Sequence, residues 1–178
     1  MDLIILLIVV LVLLLIIIFL AIQFFNIIFR GYAPFISTNR QVIAKILAEI
    51  NLEKNSKVYE LGCGRAGFLH AVCDKFPSIK AIGIDNDPWA YLLARIQAAV
   101  LGKKIKIVRQ NLFKVNLSEA DLIYCYLNPA TMVKLKDKFK KECKRGARII
   151  SYLFSLPQTQ TDKIIEIDRN KIYFYTIK

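Results

Sequence analysis

A long uncharged stretch near the N-terminus is the strongest constraint on how this chain can fold. Residues 3–29 contain no charged side chain and consist mostly of Leu, Ile, Val and Phe. As an α-helix the stretch would be roughly 40 Å long, which exceeds the ~30 Å hydrocarbon core of a bilayer. Asp2 is acidic where a signal peptide is basic, the run is too long for one, and no small-residue cleavage motif follows. We therefore predict a transmembrane helix over residues 3–29.

The charges beside this stretch predict its orientation. Arg30 and Arg40 follow it, whereas no Lys or Arg precedes it, and basic residues beside a membrane helix tend to stay in the cytoplasm. After a short connector at residues 30–37, residues 38–178 have the size of one domain. We expect a single-pass membrane protein whose domain is cytoplasmic.

The domain is strongly basic. The formal net charge of the chain is +12, and Asp2 is the only charged residue before Arg30. Such a charge favours an anionic partner, whether nucleic acid, anionic lipid or an acidic protein surface, and it equally describes a solubilising surface. Basic residues are dense between Lys134 and Arg145, in a predicted helix. This helix could contact anionic lipid, at about 1 kcal/mol per basic residue, bind nucleic acid, or face solvent.

The cysteines give no metal signature. None of the four forms a C-x-x-C pair, and His70 is the only histidine that could join them: Cys63, Cys73, Cys125 and Cys143. We predict reduced, mostly buried thiols and no metal site.

Segments with strand and helix character alternate along the domain. Apolar strand segments occur at residues 57–61, 81–84, 105–109, 122–127 and 148–154. The stretches between them include helical patterns, such as residues 88–101, and a hairpin is predicted at residues 163–177, with its turn at Arg169 and Asn170. This alternation is typical of a doubly wound, mostly parallel α/β sheet.

Both ends of the domain carry local signals. Thr38 and Gln41 form a T-x-x-Q capping box, which predicts that the first domain helix starts at Thr38. Only residues 155–162 separate the fifth and sixth strands, too few for a crossover helix. We expect the last part of the fold to be abbreviated.

A glycine-rich turn follows the first strand. Gly62, Gly64 and Gly67 match G-x-G-x-x-G between a strand and a helix, a pattern that lets a ligand approach the backbone and the helix N-terminus. Asp85 ends the second strand, where an acid can accept hydrogen bonds from ribose hydroxyls. An ordinary glycine turn is the alternative.

Glu60 lies two residues before the first of these glycines. A carboxylate there would repel a pyrophosphate, whereas it would attract the cationic methionine end of S-adenosylmethionine. Glu60 therefore favours that cofactor over a dinucleotide; the alternative is that its carboxylate caps backbone N–H groups.

Three motifs in order, E-L-G-C-G-R-A-G, G-I-D-N-D-P and D-L-I-Y-C-Y-L-N-P, resemble the class I S-adenosylmethionine-dependent methyltransferases. The resemblance implies a Rossmann-like sheet in the order 3-2-1-4-5-7-6. It also implies which residues bind the cofactor. The glycine loop would hold the methionine part of the cofactor, and Asp85, after the second strand, would hold the ribose. Asn111, where the family often has Asp, would lie near the adenine. The full set of expected cofactor-binding residues is Glu60, Gly62, Cys63, Gly64, Gly67, Asp85, Asn86 and Asn111.

Asn128 and Pro129 follow the fourth strand, at the edge where ligands bind in open α/β sheets. Amine methyltransferases often use such a motif to orient the acceptor nitrogen, so we assign Tyr126, Asn128 and Pro129 to catalysis. A plain strand-to-helix turn is the alternative. No dedicated base is evident; backbone carbonyls near Asn128, or the phenols of Tyr124 and Tyr126, are candidates.

The overall layout of the chain resembles that of membrane-anchored protein-lysine methyltransferases, a group with mitochondrial and prokaryotic members. The resemblance lies in an apolar helix followed by three short motifs, A-P-F-I-S-T, Y-L-N-P and A-R-I-I-S-Y-L-F-S-L-P. The resemblance implies N-methylation of a lysine on a membrane or membrane-proximal protein. A lipid-soluble small-molecule acceptor, such as a quinone or phospholipid amine, and a non-catalytic cofactor-binding scaffold are alternatives. A membrane tether argues against a nucleic-acid substrate.

Overall fold

The computed structural model of the chain describes residues 3–30 and 37–178. Nearly all of the predicted connector at residues 30–37 lies outside the described residues. The chain divides into two units, Met1–Ile36 and Ser37–Lys178. The described part of the first unit is one helix, α1 (Leu3–Arg30). Its segment Leu3–Ile22 has a mean hydropathy of 4.0 and is long and apolar enough to cross a membrane.

The second unit is a seven-stranded sheet with four helices. The strands are β1 (Lys57–Leu61), β2 (Lys80–Asp85), β3 (Ile105–Arg109), β4 (Leu122–Cys125), β5 (Arg148–Tyr152), β6 (Lys163–Ile167) and β7 (Asn170–Thr176). The helices are α2 (Arg40–Glu49), α3 (Gly67–Lys75), α4 (Pro88–Val100) and α5 (Pro129–Glu142). The sheet order is β3-β2-β1-β4-β5-β7-β6, which confirms the predicted Rossmann-like fold.

The helices cover both faces of the sheet. One apolar core contains side chains of α2, α3 and α4, represented by Ile46, Leu69 and Ala94. The other contains the inward side of α5, represented by Leu135 and Phe139. Because β1 to β5 are parallel, their carboxyl ends share one edge, where the candidate site lies.

The start of α2 differs from the prediction. Asn39, not Thr38, is the N-cap, and its Oδ1 accepts a hydrogen bond from the Gln41 backbone N–H at 2.9 Å. The Thr38 hydroxyl instead shares a hydrogen bond of 2.7 Å with the hydroxyl of Tyr124 in β4. Asn caps at least as well as Thr, so the tertiary bond decides which residue takes the role.

The C-terminal part is abbreviated, as expected. No helix lies between β5 and β6 in the described domain, and β7 pairs antiparallel with both strands. The predicted hairpin turn was one residue too late. It consists of Asp168 and Arg169, with φ of 47° and 70°, because a two-residue turn with positive φ at both positions matches the twist of the strands.

Candidate cofactor and acceptor site

The loop after β1 bends across the end of β2. The backbone N–H groups of Gly62 and Cys63 both donate to the Ile84 carbonyl, at 2.8 and 3.0 Å. Gly62 has a φ of 72°, and a Cβ at this position would lie 2.7 Å from Cδ2 of Leu127. Glycine is therefore favoured at position 62 by its backbone conformation and by the Leu127 side chain, which packs on it from the turn after β4.

Asp85 ties the loop to β2. Its Oδ2 accepts a hydrogen bond from the Gly64 N–H at 2.9 Å, and its Oδ1 accepts one from the Asp87 N–H at 3.0 Å. Burial raises the pKa of the carboxyl, and these two hydrogen bonds oppose the shift. A carboxylate has about four acceptor positions, so ribose hydroxyls could still donate to it; the ribose role stays a prediction.

Glu60 lies beneath the loop and is only 6% exposed. Its Oε2 accepts one long hydrogen bond of 3.4 Å, from the Leu69 N–H in the first turn of α3. Burial raises the pKa of Glu60 well above its ordinary value; the Leu69 bond lowers it and the nearby Asp85 carboxylate raises it further. Two carboxyls so close fit a cationic ligand group and oppose a pyrophosphate.

Two asparagines extend this arrangement along the strand ends. The Asn86 carbonyl accepts a hydrogen bond from Nε of Arg109 at 3.5 Å. The Gln110 N–H donates to the Asp85 carbonyl at 3.1 Å, which brings the next residue, Asn111, beside the end of β2. The Asn111 side chain accepts from the Phe113 N–H at 2.9 Å and so shapes its own turn. The cofactor contacts of Asn86 and Asn111 stay predictions.

The turn after β4 forms the other side of the site. Asn128 is the N-cap of α5: its Oδ1 accepts a hydrogen bond from the Thr131 N–H at 2.9 Å, and Pro129 is the first helical residue. The ring of half-buried Tyr126 packs edge-on against Tyr152, with centroids 4.8 Å apart. Asn128 thus has the structural function named as the alternative, and the catalytic assignments stay predictions.

The domain matches a known family. Residues 60–163 match the family model described as the ANTKMT methyltransferase domain. The chain belongs to this family. It is an S-adenosylmethionine-dependent methyltransferase, as predicted, and the paired carboxyls beside the glycine loop fit that cationic cofactor.

Relatives of this methyltransferase cover most of the chain. The protein-lysine N-methyltransferase of Saccharolobus islandicus (strain REY15A) is 26% identical over 152 residues, which are 82% of this chain and 94% of that protein. The adenine nucleotide translocase lysine N-methyltransferase of Mus musculus is also 26% identical, over 81% of this chain and 63% of the mouse protein.

Solved structures share the fold. The crystal structure of an RNA methyltransferase from Salinibacter ruber, in complex with S-adenosyl-L-homocysteine, superimposes with a TM-score of 0.76 and 22% identity. The match covers 80% of this chain and 94% of that one.

The methyltransferase loop contains a residue that the sequence pattern did not reveal. Ala66 has a φ of 58° and directly precedes α3, whereas Gly67 is its first residue and a Cβ there would contact nothing within 4 Å. The left-handed position near the end of the loop is therefore held by alanine. The third glycine of the motif suggested the neighbouring position, and no signal in the sequence distinguished the two.

The cysteine of the loop has a packing function. Cys63 is buried, and burial raises the pKa of its thiol. A Cβ on Gly83 of β2 would lie 2.9 Å from the Cys63 Sγ. All four cysteines are free and three are buried, which confirms that the thiols are mostly buried. Among the described residues, no group of three or more His, Cys, Asp or Glu could hold a metal ion.

Tyr124 is unsuited to act as a base. It is 1% exposed and stacks on Phe68 with centroids 4.1 Å apart. Burial raises the pKa of its phenol well above the ordinary value, and the Thr38 hydrogen bond opposes this only in part. Tyr124 therefore remains a protonated phenol at neutral pH, next to Glu60 on the neighbouring strand.

Proposed function

We propose that this methyltransferase methylates the side-chain nitrogen of a lysine on a membrane or membrane-proximal protein. One observation carries the choice of acceptor: two relatives that each match about four fifths of the chain are both named as lysine N-methyltransferases. One of them acts, by its name, on adenine nucleotide translocase.

We further propose that α1 anchors the protein in a membrane, with residues 3–29 as the span, 30–37 as connector and 38–178 as a cytoplasmic catalytic domain. The uncharged segment Leu3–Ile22, with no buried side chain, supports the anchor. The Arg residues that follow the span support the orientation.

The cofactor side of the proposed site is supplied by the β1 and β2 ends. When bound, S-adenosylmethionine supplies an electrophilic methyl group on a sulfonium. Gly62 and Gly64 leave the backbone accessible, Glu60 offers a carboxyl that a bound cationic group would keep ionised, and Asp85 offers acceptors to ribose hydroxyls.

The acceptor side would have to receive a neutral lysine. A free lysine has a pKa near 10.4, so its deprotonation at pH 7 costs roughly 4–5 kcal/mol, and a desolvated position lowers this cost. The half-buried ring of Tyr126 provides apolar surroundings. In this proposal the backbone carbonyls of residues 126–128 and the Asn128 amide orient the lone pair of the lysine nitrogen. Pro129 sets the shape of the turn.

A methyl-transfer assay tests this function. The full chain, purified in detergent, is incubated with tritium-labelled S-adenosylmethionine and membranes of its source cells, with heat-denatured chain as the blank. We expect label in protein that yields methyl-lysine on hydrolysis. Label in the organic extract would instead identify a lipid-soluble acceptor. Cofactor binding without transfer to any fraction would favour a non-catalytic scaffold.

A further inference from the structure

Helix α4 exposes the larger of its two apolar faces. The side facing the sheet consists of alanines that are at most 5% exposed: Ala90, Ala94 and Ala98. The opposite side has large apolar side chains that are 40–79% exposed: Trp89, Leu92, Leu93, Ile96 and Val100. Spacings of three, four, seven and eleven residues from Trp89 place these five on one stripe, here called the α4 stripe.

The other domain helices have the usual arrangement. Large apolar side chains face the sheet on α2, α3 and α5, for example Ile46, Phe68 and Phe139. On α5 a single large apolar residue, Val133, is more than half exposed. A continuous apolar stripe directed at solvent is costly unless something covers it, and such patches mark interaction surfaces.

The surroundings of the α4 stripe are positively charged. Residues 88–114 contain no Asp or Glu and six basic residues, of which Lys103 alone forms an ion pair within the described part of the chain, with Asp74; the six are Arg95, Lys103, Lys104, Lys106, Arg109 and Lys114. Arg95 borders the stripe, with its guanidinium 5.5 Å from the Tyr91 ring centroid and hydrogen-bonded to the Tyr91 hydroxyl at 3.0 Å. The surface is therefore complementary to one that is both apolar and anionic.

We propose that the α4 stripe lies in the headgroup region of an anionic bilayer. Helices with an apolar face, a basic border and a Trp bind at this depth. The proposal rests on the membrane anchor of the proposed function. Residues 31–37 can span at most about 25 Å, so an anchored domain is always within reach of the surface.

Lipid contact at α4 changes the expected role of α5. The two helices lie on opposite faces of the sheet, so one flat bilayer cannot contact both outer faces. Two of the seven basic side chains between Lys134 and Arg145 are also in ion pairs within the described domain: Lys138 pairs with Glu142 at 2.6 Å and Lys144 with Asp121 at 2.5 Å. The α5 face then points away from the lipid.

The proposal also links the membrane to the site. Helix α4 begins directly after Asp87, whose N–H donates to the candidate ribose-binding carboxylate of Asp85. Trp89 lies at this end of the helix. A bilayer that holds the α4 stripe would therefore hold the strand ends close to its surface, where a membrane-proximal lysine can reach them.

Trp89 is the only tryptophan in the chain, so its fluorescence reports on the α4 stripe alone. The full chain is reconstituted into vesicles of equal parts phosphatidylcholine and phosphatidylglycerol, with and without nitroxide-labelled lipid. Flotation measures anchoring, and tryptophan emission measures contact. We expect floated protein with blue-shifted emission that the nitroxide lipid quenches several-fold.

Two variants make this test specific. Leu92→Glu combined with Ile96→Glu should abolish quenching while flotation persists, because both side chains are exposed and their replacement spares the core. Val133→Glu, an equally exposed change on α5, should leave quenching unchanged. Circular dichroism melting checks that both variants are folded.

The possible outcomes distinguish lipid contact by the α4 stripe from membrane anchoring by α1. Protein that floats with solvent-like, unquenched Trp89 emission overturns lipid contact and leaves the anchor intact. Blue-shifted emission without lipid quenching overturns it in favour of a protein partner or a second copy. Protein that does not float overturns the anchor and the lipid contact with it.

Discussion

The loop after β1 and the turn after β4 lie at the same edge of the sheet but are stabilised differently. The loop is fixed by long-range contacts: Gly62 packs under Leu127, and Gly64 donates to Asp85. The turn also packs through Leu127 and Tyr126, but its side-chain hydrogen bond is local, since Asn128 bonds to Thr131 three residues away. This contrast suggests a preorganised cofactor side and an adaptable acceptor side, which would suit a protein acceptor that brings its own surface.

The largest effect is expected from Gly62→Ala. A left-handed alanine costs roughly 1–2 kcal/mol, and overpacking against Leu127 typically adds 1–3 kcal/mol, so the variant should lose about 2–5 kcal/mol of unfolding free energy and bind S-adenosylmethionine poorly. Chemical denaturation and calorimetric titration measure the two losses. Gly67→Ala is the matched control and should be neutral or slightly stabilising, because its Cβ meets nothing. Equal losses in both variants would contradict a loop fixed by Gly62.

Glu60→Gln should separate stability from binding. Burial raises the pKa of Glu60, so folding favours the neutral form of this carboxyl. The contribution of Glu60 to the free energy of unfolding is therefore fully present below the ordinary pKa of 4.5, and it is lost as the pH rises through the pKa of the folded state. The variant should therefore gain stability relative to wild type as the pH rises above about 4.5. Its affinity for the cationic cofactor should fall by about 1.5–3 kcal/mol.

Unfolding curves at several pH values and cofactor titrations test Glu60→Gln together. Glu119→Gln, at an exposed carboxyl, is the control for loss of one negative charge. If Glu60→Gln lowers stability and affinity in parallel, the carboxyl has a structural function and the cofactor contact is refuted.

Asn128 tests the acceptor side. Asn128→Ala removes the N-cap of α5 and should cost about 1 kcal/mol, whereas Asn128→Asp keeps a capping oxygen and replaces the amide NH2 with a carboxylate oxygen. Both should bind the cofactor normally and turn over slowly if the amide orients the acceptor. Single-turnover methyl transfer and thermal melting distinguish the roles. Wild-type turnover in Asn128→Asp would leave Asn128 with the cap alone.

The smallest effect is expected from Thr38→Val. It removes the hydrogen bond to Tyr124 without changing the side-chain shape, and should cost about 1 kcal/mol of stability. Thr38→Ser keeps the hydroxyl and is the control. Cofactor affinity should be unchanged in both, because Thr38 contacts the domain interior rather than the loop. A loss of cofactor affinity in Thr38→Val alone would mean that Tyr124 in β4 couples Thr38 to the cofactor site.

Local patterns were sufficient for the fold class and for the position of the glycine turn after β1. Alternating strand and helix segments predicted the α/β sheet, and the order of three short motifs, by resemblance, predicted its strand order. The glycine positions and Asp85 were predicted because a strand end followed by a tight turn leaves a local trace. Ala66 and Tyr124 left none, since a left-handed alanine and a buried phenol are defined by their neighbours in space.

Helix α4 shows most clearly what a local sequence pattern cannot predict. Its extent could be read from Pro88 and the apolar run that follows, and the spacing groups its residues into an alanine face and a face of large apolar side chains. Periodicity reports which residues share a face, not what that face meets. Only the packing of α4 on the sheet assigned the alanines inward and left the face with Trp89 exposed. In the same way, Asn39 is the N-cap of α2 because the Thr38 hydroxyl is hydrogen-bonded to Tyr124 of β4, 86 positions away in the sequence.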